Sequence, residues 1–520
     1  MTNLISFAEN LTNSYLKKTK PEYLKLHGQF FTPIATSDFM IRQFRNIQHH
    51  KNIKILDPGA GIGIFESAFC DFILTLKKKP QIYFELYEID KKIIPFLKRN
   101  LETCKRVMAE KGIKISYDIF NENFILSKGD RFNVDGYLDS NQEGYDFVIA
   151  NPPYFKIKKD SNQAKLMKSI VKGQPNIYAL FMALSAQLLK PGGQMTVLTP
   201  RSYCSGAYFK LFRKWFFRLM KPTKIHVFES RKELFREYKV LQEMIILTAI
   251  KKSQPPKNIK VSMSIGENYA KNEIKIHKSS YKNIVVENDD VIIRIPTSSL
   301  DQKIAEEFIK LSYNLDTLGF KVSTGPVVPF RTKEYLIKDI KGQNNYVPLL
   351  WMQNIVSGKI IWPISIKDKQ IAIINEGLAK KILVPKGNYV LIKRLSSKEG
   401  KNRIVSGVLT KKSLDFDFIG IENHMNYIWK YKGSSSADEL YGISALLNSK
   451  LFNRYFQIIN GSTQVNASEI RKIPFPSIRK IKIIGKLVRS SGKEDQYRLE
   501  RIIGKELNFN KGVIKEIING

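Results

Sequence analysis

From about residue 50 to residue 200, runs that are apolar at nearly every position alternate with longer segments whose apolar residues recur at helical spacing. Residues 53–56 form such a run and stop at Asp57-Pro58-Gly59, which predicts a buried strand entering a tight loop, and residues 63–76 then read as a helix. Residues 81–87 are β-rich and end at Glu88-Ile89-Asp90, and residues 91–110 return to helical spacing. A further apolar strand, 145–150, is stopped by Asn151-Pro152-Pro153. The helix predicted over 177–189 ends at Pro191-Gly192-Gly193, and 194–198 is the next strand. This alternation predicts an α/β fold, a Rossmann-like parallel, doubly wound sheet that takes ligands at the carboxyl ends of its strands.

Residues 251–257, Lys-Lys-Ser-Gln-Pro-Pro-Lys, read as a linker. Beyond it the alternation fades into short β-like runs (291–295, 359–362, 389–393) mixed with aromatics, glycines and basic residues, and from about residue 480 into a lysine-rich helical stretch. The expected organisation is a catalytic domain over 1–250, a mixed α+β partner-handling domain over 257–479, and a basic helical segment over 480–520. At 520 residues the chain is too long for one ordinary core.

Charge sharpens this picture. Lys and Arg number 85 against 48 Asp and Glu, a formal net charge of +37. An A+T-rich genome inflates lysine and accounts for part of the excess, but the remainder favours a polyanionic partner, nucleic acid first. No apolar run approaches the ~20 residues of a membrane span, and the N-terminus has no basic start followed by an apolar core, so a cytoplasmic protein is expected. Cys70, Cys104 and Cys204 are scattered, and the six histidines form no ligand-spaced cluster, so no metal is expected.

The chemistry sits at the strand ends. Gly59, Gly61 and Gly63 let the backbone pass close to a ligand, and the helix that follows directs N–H groups at it. Glu88 is placed to accept from ribose hydroxyls. That pair suits a nicotinamide dinucleotide nearly as well as S-adenosylmethionine, although Asp57 is better matched to a cationic ligand than to a pyrophosphate. Asn151-Pro152-Pro153-Tyr154 is more specific, arising by accident in on the order of one chain in several hundred of this length. The prolines leave carbonyls turned toward the cleft and Asn151 adds an amide oxygen, so that acceptors converge on an –NH2 group; Tyr154 offers a face for a planar base.

With these motifs the chain resembles the gamma-class adenine-N6 DNA methyltransferases of restriction–modification systems, the TaqI-like kind, over about residues 20–250. The resemblance implies that Phe30, Thr32 and Pro33, in Gly28-Gln29-Phe30-Phe31-Thr32-Pro33, contact the methionine part of S-adenosylmethionine. It implies that Asp118 bonds the cofactor's adenine, although the Phe usual directly after that Asp is replaced by Ile119, and that Phe181 lies near the same ring. Ile89 packs on that adenine or in the core. Phe235, with Tyr238 as substitute, is the candidate aromatic against a flipped base. Gln464 and Asn466 are candidate base readers in the second half, which loosely resembles the family's target-recognition domain; a polar loop before a capped helix is the plainer reading. The implied partners are double-stranded DNA and a separate cognate restriction endonuclease, with the chain acting as a monomer. A glutamine methyltransferase of release factors shares Asn-Pro-Pro-Tyr but is much shorter. An RNA methyltransferase and a catalytically inert DNA-binding subunit remain as alternatives.

Overall fold

Each apolar run that meets a Pro- or Gly-bearing turn becomes a strand, and each helical stretch between them packs on the sheet so formed. The computed structural model describes residues 3–136, 143–229, 243–267, 269, 274–287, 290–395, 402–460, 464–490 and 495–519. They divide into two units, Met1–Ser298 and Ser299–Gly520. The first opens with α1 (Leu4–Lys18), α2 (Pro21–His27) and α3 (Ile34–Ile41), followed by β1 (Asn52–Asp57), α4 (Ile64–Leu74), β2 (Gln81–Tyr87), α5 (Ile94–Ala109), β3 (Ile115–Phe120) and α6 (Phe124–Lys128). It continues through β4 (Tyr145–Ala150), α7 (Asn162–Leu166), α8 (Ile177–Leu188), β5 (Leu189–Pro200), α9 (Lys210–Leu219), β6 (Met220–Phe228), β7 (Met244–Lys251), β8 (Asn258–Ser264) and β9 (Lys275–Ser280). A short helix α10 (Tyr281–Ile284) and the two-residue strands β10 (Val285–Val286) and β11 (Ile292–Ile293) close the unit.

Nine of these strands form one sheet in the order β3-β2-β1-β4-β5-β7-β6-β8-β9, and β10 pairs with β11 apart from it. From β3 to β5 the pairing is parallel, with Asp57 opposite Leu86 and Ala150 opposite Val197. The expected parallel arrangement thus holds for the strands it was read from, and beyond β5 the sheet becomes mixed: β7 runs antiparallel to both β5 and β6, and β9 antiparallel to β8. Local periodicity shows that a segment is a strand but carries no information on which neighbour it pairs with, or in which direction. The segment expected to be a linker is the connection between β7 and β8, because β8 returns to pair parallel with β6. The first unit therefore extends to Ser298 rather than to residue 250.

Successive strand residues face opposite sides, and each side is capped by helices. Ile53 and Ile55 pack with α1, α4 and α5, whereas Leu56 and Val148 pack with α8, every residue of which is buried. Burial on both faces explains why these strands read as continuous apolar runs rather than as alternating ones.

The second unit contains α11 (Ser299–Ile309), β12 (Phe320–Thr324), β13 (Leu336–Ile337), β14 (Tyr346–Leu350), β15 (Ile355–Val356), β16 (Lys359–Ile360), β17 (Ala372–Ile374), β18 (Val384–Pro385), β19 (Tyr389–Lys393), β20 (Ser406–Leu409), β21 (Phe418–Ile421) and β22 (Met425–Lys430). The helices α12 (Ala437–Asn448), α13 (Lys450–Ile459), α14 (Ala467–Ile470), α15 (Ile478–Arg489), α16 (Gln496–Leu507) and α17 (Lys511–Asn519) follow. The strands form sheets of order β12-β22-β19-β20-β16-β15 and β13-β17-β14-β21-β18. The basic stretch after residue 480 is not a separate segment: Ile481, Ile484, Ile503 and Leu507 join the core of this unit, leaving the lysines on the outer faces.

Helices α12 and α15 cross at glycines. A Cβ on Gly485 would lie 1.9 Å from the Asp438 carbonyl oxygen, and one on Gly442 would lie 2.1 Å from that of Ile481. Backbone cannot retreat as a side-chain tip can, so Gly485→Ala must push the helices apart. It is expected to cost about 1–3 kcal/mol in chemical denaturation; an unchanged midpoint would show that the crossing tolerates the shift.

Candidate functional site

The parallel strands end along one edge of the sheet, and the chain places polar residues just past each end. Glu88 and Ile89 follow β2, Asn123 follows β3 and Asn151 follows β4, and all four line a cleft of about 1000 Å³, its open mouth included. That is ample for a nucleoside-sized ligand. The cleft's roof is the N-terminal segment from His27 to Thr32, and its floor includes Gly59 and Gly61. Among the described residues no group of three or more His, Cys, Asp or Glu is placed to hold a metal, and no helix is long and apolar enough to cross a membrane.

Asp57, the last residue of β1, is fully buried beneath the glycine loop. Its Oδ1 accepts from the Gly59 N–H at 2.9 Å, and its buried Oδ2 has no hydrogen-bond partner. Burial foremost, relieved by the Gly59 N–H and reinforced by the charge of Glu88, pushes its carboxyl up to about 7. Glu88 accepts from the Gly61 N–H at 3.0 Å and from the Asp90 N–H at 2.8 Å, yet burial still raises it to about 7. Both carboxylates are thus held short of positive charge; Glu88 lines the cleft, where ribose hydroxyls have access to it, whereas Asp57 lies behind Pro58 and Gly59 and does not line it. A Cβ on Gly59 would meet nothing within 4 Å, so this glycine faces open space rather than a packed neighbour. Gly63 serves differently: at φ +87° it starts α4, and a Cβ there would lie 2.7 Å from Asn100 Nδ2. Its freedom lets α4 and α5 close up, and it does not line the cleft.

Asn151 is held by its amide nitrogen. Nδ2 donates to the Phe30 carbonyl at 2.8 Å and to Thr32 Oγ1 at 2.9 Å, which fixes the flip of the amide and turns Oδ1 the other way. Oδ1 accepts from the Tyr154 hydroxyl, which also reaches the Leu198 carbonyl at 3.1 Å. The Tyr154 ring stacks on Phe30 at 5.7 Å, so the face expected for a base already has an aromatic neighbour. Pro152 is buried, Pro153 lines the cleft, and Phe155, half-exposed, lines it too. Sequence reasoning passed over Phe155, although an aromatic directly after Tyr154 was the available signal.

The remaining expectations divide. Thr32 is buried against Asn151 and Phe30 lines the cleft, whereas Pro33 is the cap of α3 and does not. Phe181 lines the cleft and packs on Phe124 with centroids 5.5 Å apart. Ile89 is 59% exposed at the cleft, which removes the core alternative. Asp118 is not brought to the cleft: it lies inside β3, two residues before the strand ends, with Oδ2 accepting from Tyr83 at 2.6 Å. Past the strand's end, Glu122 and Asn123 line the cleft instead. Asn123 caps α6 and is followed directly by Phe124, the order that Asp118 lacks. Phe235 and Tyr238 lie outside the described residues. In the second unit Asn466 is the cap of α14, bonded to Glu469 at 3.1 Å, which is the plainer role the polar loop suggested.

Residues 59–235 match the family model described as Eco57I restriction-modification methylase. The chain is 35% identical to the type II methyltransferase M.BsuBI of Bacillus subtilis, over 94% of its own length and 95% of that protein's. It is 33% identical to the type II methyltransferase M.PstI of Providencia stuartii, over 97% of each. Among solved structures it is similar in fold to the type IIL restriction-modification enzyme MmeI in complex with DNA, with a TM-score of 0.58 at 12% identity, covering 98% of this chain and 77% of that one. Near-full-length identity at this level, joined to the glycine-loop cleft and the Asn151 corner, establishes that the chain belongs to the type II restriction-modification DNA methyltransferases, whose methyl donor is S-adenosylmethionine.

Proposed function

We propose that this methyltransferase modifies the exocyclic N6 amine of adenine, rotated out of duplex DNA. The observation that carries the reading is the fixed amide of Asn151, a cleft-lining residue whose oxygen is turned to accept, here from the Tyr154 hydroxyl, while its nitrogen donates to Phe30 and Thr32. With the Pro152 carbonyl as second acceptor, it would take both hydrogens of an –NH2 group and leave the nitrogen lone pair aimed into the cleft. S-adenosylmethionine, when bound, supplies an electrophilic methyl on a sulfonium. Asp57, from behind Pro58 and Gly59, would supply the negative charge that its ammonium faces, Glu88 would hold its ribose, and Ile89, Asn123 and Phe181 would surround its adenine. Carbon methylation of cytosine needs a thiolate nucleophile, and Cys70, Cys104 and Cys204 are all buried and line no part of this cleft.

Withdrawing a base from the stack costs roughly a few kcal/mol. The Phe155 ring, which lines the cleft, and the Tyr154 ring, once shifted from its place on Phe30, would repay part of that. For the amine to reach Asn151 Oδ1 the Tyr154 hydroxyl must give way, so the ring is read as shifting when the base enters. The second unit is read as the target-recognition domain, and the excess of positive charge as its attraction for the phosphate backbone. Action as a cytoplasmic monomer, with a separate cognate endonuclease, accompanies the reading.

Labelled S-adenosylmethionine offered with duplex DNA, RNA and release-factor substrates tests it. Label recovered as N6-methyladenine in DNA is expected. N4-methylcytosine would keep the amine chemistry and overturn the base, and label confined to RNA or protein would overturn the substrate.

A further inference from the structure

Asp90, two residues beyond Glu88, has no role in the chemistry above, yet it is the most heavily bonded carboxylate at this end of the sheet. It is 6% exposed. Its Oδ2 accepts from Gln29 Nε2 at 2.7 Å and from the Tyr15 hydroxyl at 3.0 Å; its Oδ1 accepts from the Lys92 N–H at 2.9 Å and from the Tyr23 hydroxyl at 3.2 Å. Tyr15 is on α1, Tyr23 on α2, and Gln29 follows α2, so one carboxylate gathers three successive pieces of the N-terminal segment. Tyr23 is further held between its stack on His27 at 4.1 Å and the Lys92 ammonium 4.0 Å above its ring. Burial works against the Asp90 charge, but the donations from Gln29, the Lys92 N–H, Tyr15 and Tyr23 outweigh it and keep the group below the ordinary range.

The residues directly after Gln29 are the ones that fix Asn151. The Phe30 carbonyl and Thr32 Oγ1 take both amide bonds of its Nδ2, and Gly28, at φ +63°, lets the chain pass so close to Phe155 that a Cβ would sit 3.0 Å from that ring. The segment is therefore tied at one end to the turn after β2 and at the other to the turn after β4, and it roofs the cleft between them.

We propose that Asp90 is a positioning residue: by anchoring Gln29 it holds the roof over the cofactor and, through Phe30 and Thr32, sets the orientation of the Asn151 amide. This rests on the reading of Asn151 as the acceptor of the target amine. The latch couples cofactor retention to alignment of the methyl acceptor, so damage to it is felt in both.

The test measures equilibrium S-adenosylmethionine binding and steady-state methyl transfer for the full chain carrying Asp90→Asn, Thr32→Val, both together, and Tyr23→Phe. Asp90→Asn is expected to weaken cofactor binding on the order of tenfold and to lower kcat on the order of 10- to 100-fold, with KM for DNA within about twofold. Tyr23→Phe moves both in the same direction by less. Because Asp90 and Thr32 act along one path, the kcat loss of the double variant is expected to fall well short of the product of the two single losses. Cofactor affinity and kcat within about twofold of the parent in Asp90→Asn, or losses that simply multiply, would overturn the latch. If Asp90→Asn does not fold, as judged by its melting curve, Tyr23→Phe alone and with Thr32→Val decides on the same terms. A parent protein that binds cofactor but yields no N6-methyladenine overturns the reading of Asn151 instead, and the cofactor affinity of Asp90→Asn still decides on the anchoring of the roof.

Discussion

Asn151→Ala is expected to keep binding S-adenosylmethionine, weakened by no more than the roughly tenfold that loosening the roof costs, and to lose methyl transfer by a factor on the order of 10²–10³ or more, comparable to removing a preorganised polar group from other active sites. The substitution removes the acceptor oxygen at the cleft wall and leaves the Phe30 carbonyl and Thr32 hydroxyl without their donor. The groups proposed to hold the cofactor, Asp57, Glu88 and the glycine loop, are not altered. A contrast within the same corner sharpens the test. Tyr154→Phe keeps the ring stacked on Phe30 and frees Asn151 Oδ1 from the hydroxyl, so it is expected to retain transfer within about tenfold, whereas Tyr154→Ala loses an aromatic face worth about 1–3 kcal/mol. Binding by calorimetry and turnover with labelled cofactor separate the two effects. Transfer by Asn151→Ala at the parent rate would remove the amine-holding mechanism.

The second large effect is in pH. Asp57 and Glu88 both sit near 7 when the cleft holds no ligand, raised chiefly by burial. A raised carboxyl keeps its proton in the folded protein at a pH where the unfolded chain has released it. The stability these two groups contribute is therefore complete below about pH 4 and declines as pH rises to about 7. A ligand that brings a cation and hydroxyl donors prefers the ionised carboxylates, so binding must expel whatever protons remain. Cofactor affinity is expected to rise on the order of tenfold for each group between pH 6 and 7.5, and to level near pH 8, where an α-amino group begins to lose its own charge. The gain in melting temperature on adding cofactor should grow over the same interval. Asp57→Asn is expected to lose on the order of 10²-fold in affinity and to flatten one group's share of the profile, since the unpartnered Oδ2 is replaced by a neutral amide. Calorimetry in buffers of differing ionisation enthalpy counts the protons released. Uptake of protons, or an affinity independent of pH, would place the ammonium elsewhere.

Much of this site was legible in the sequence, for a physical reason. The strands that bear it are buried on both faces and end abruptly, so Asp57, Glu88 and Asn151 stand just where an apolar run gives way to a turn. Asp118 was assigned from the family resemblance alone: β3 is an edge strand with a mixed burial pattern whose end is not marked by an abrupt change, so the residues past it that line the cleft, Glu122 and Asn123, went unread. Asp90 was invisible as a latch because its partners lie 61 to 75 residues earlier in the chain. The second unit resisted for a related cause. Many of its strands are only two to five residues long, and β12 pairs with β22 about 100 residues on, so local pattern neither delimits the strands nor names their partners. Pro255-Pro256 resembled a linker because composition reports a turn without reporting that β8 rejoins the sheet beyond it.

The close passage of Gly28 against Phe155 has a bearing on how such enzymes diverge. Two stretches separated by more than a hundred residues share one small volume, and neither can enlarge unless the other shrinks. Drift at the first is thereby tied to drift at the second. Lineages in which the glycine has been replaced by a larger residue should carry a smaller one opposite it, and those that keep both should show the pair inherited together, whatever sequence of DNA each has come to modify.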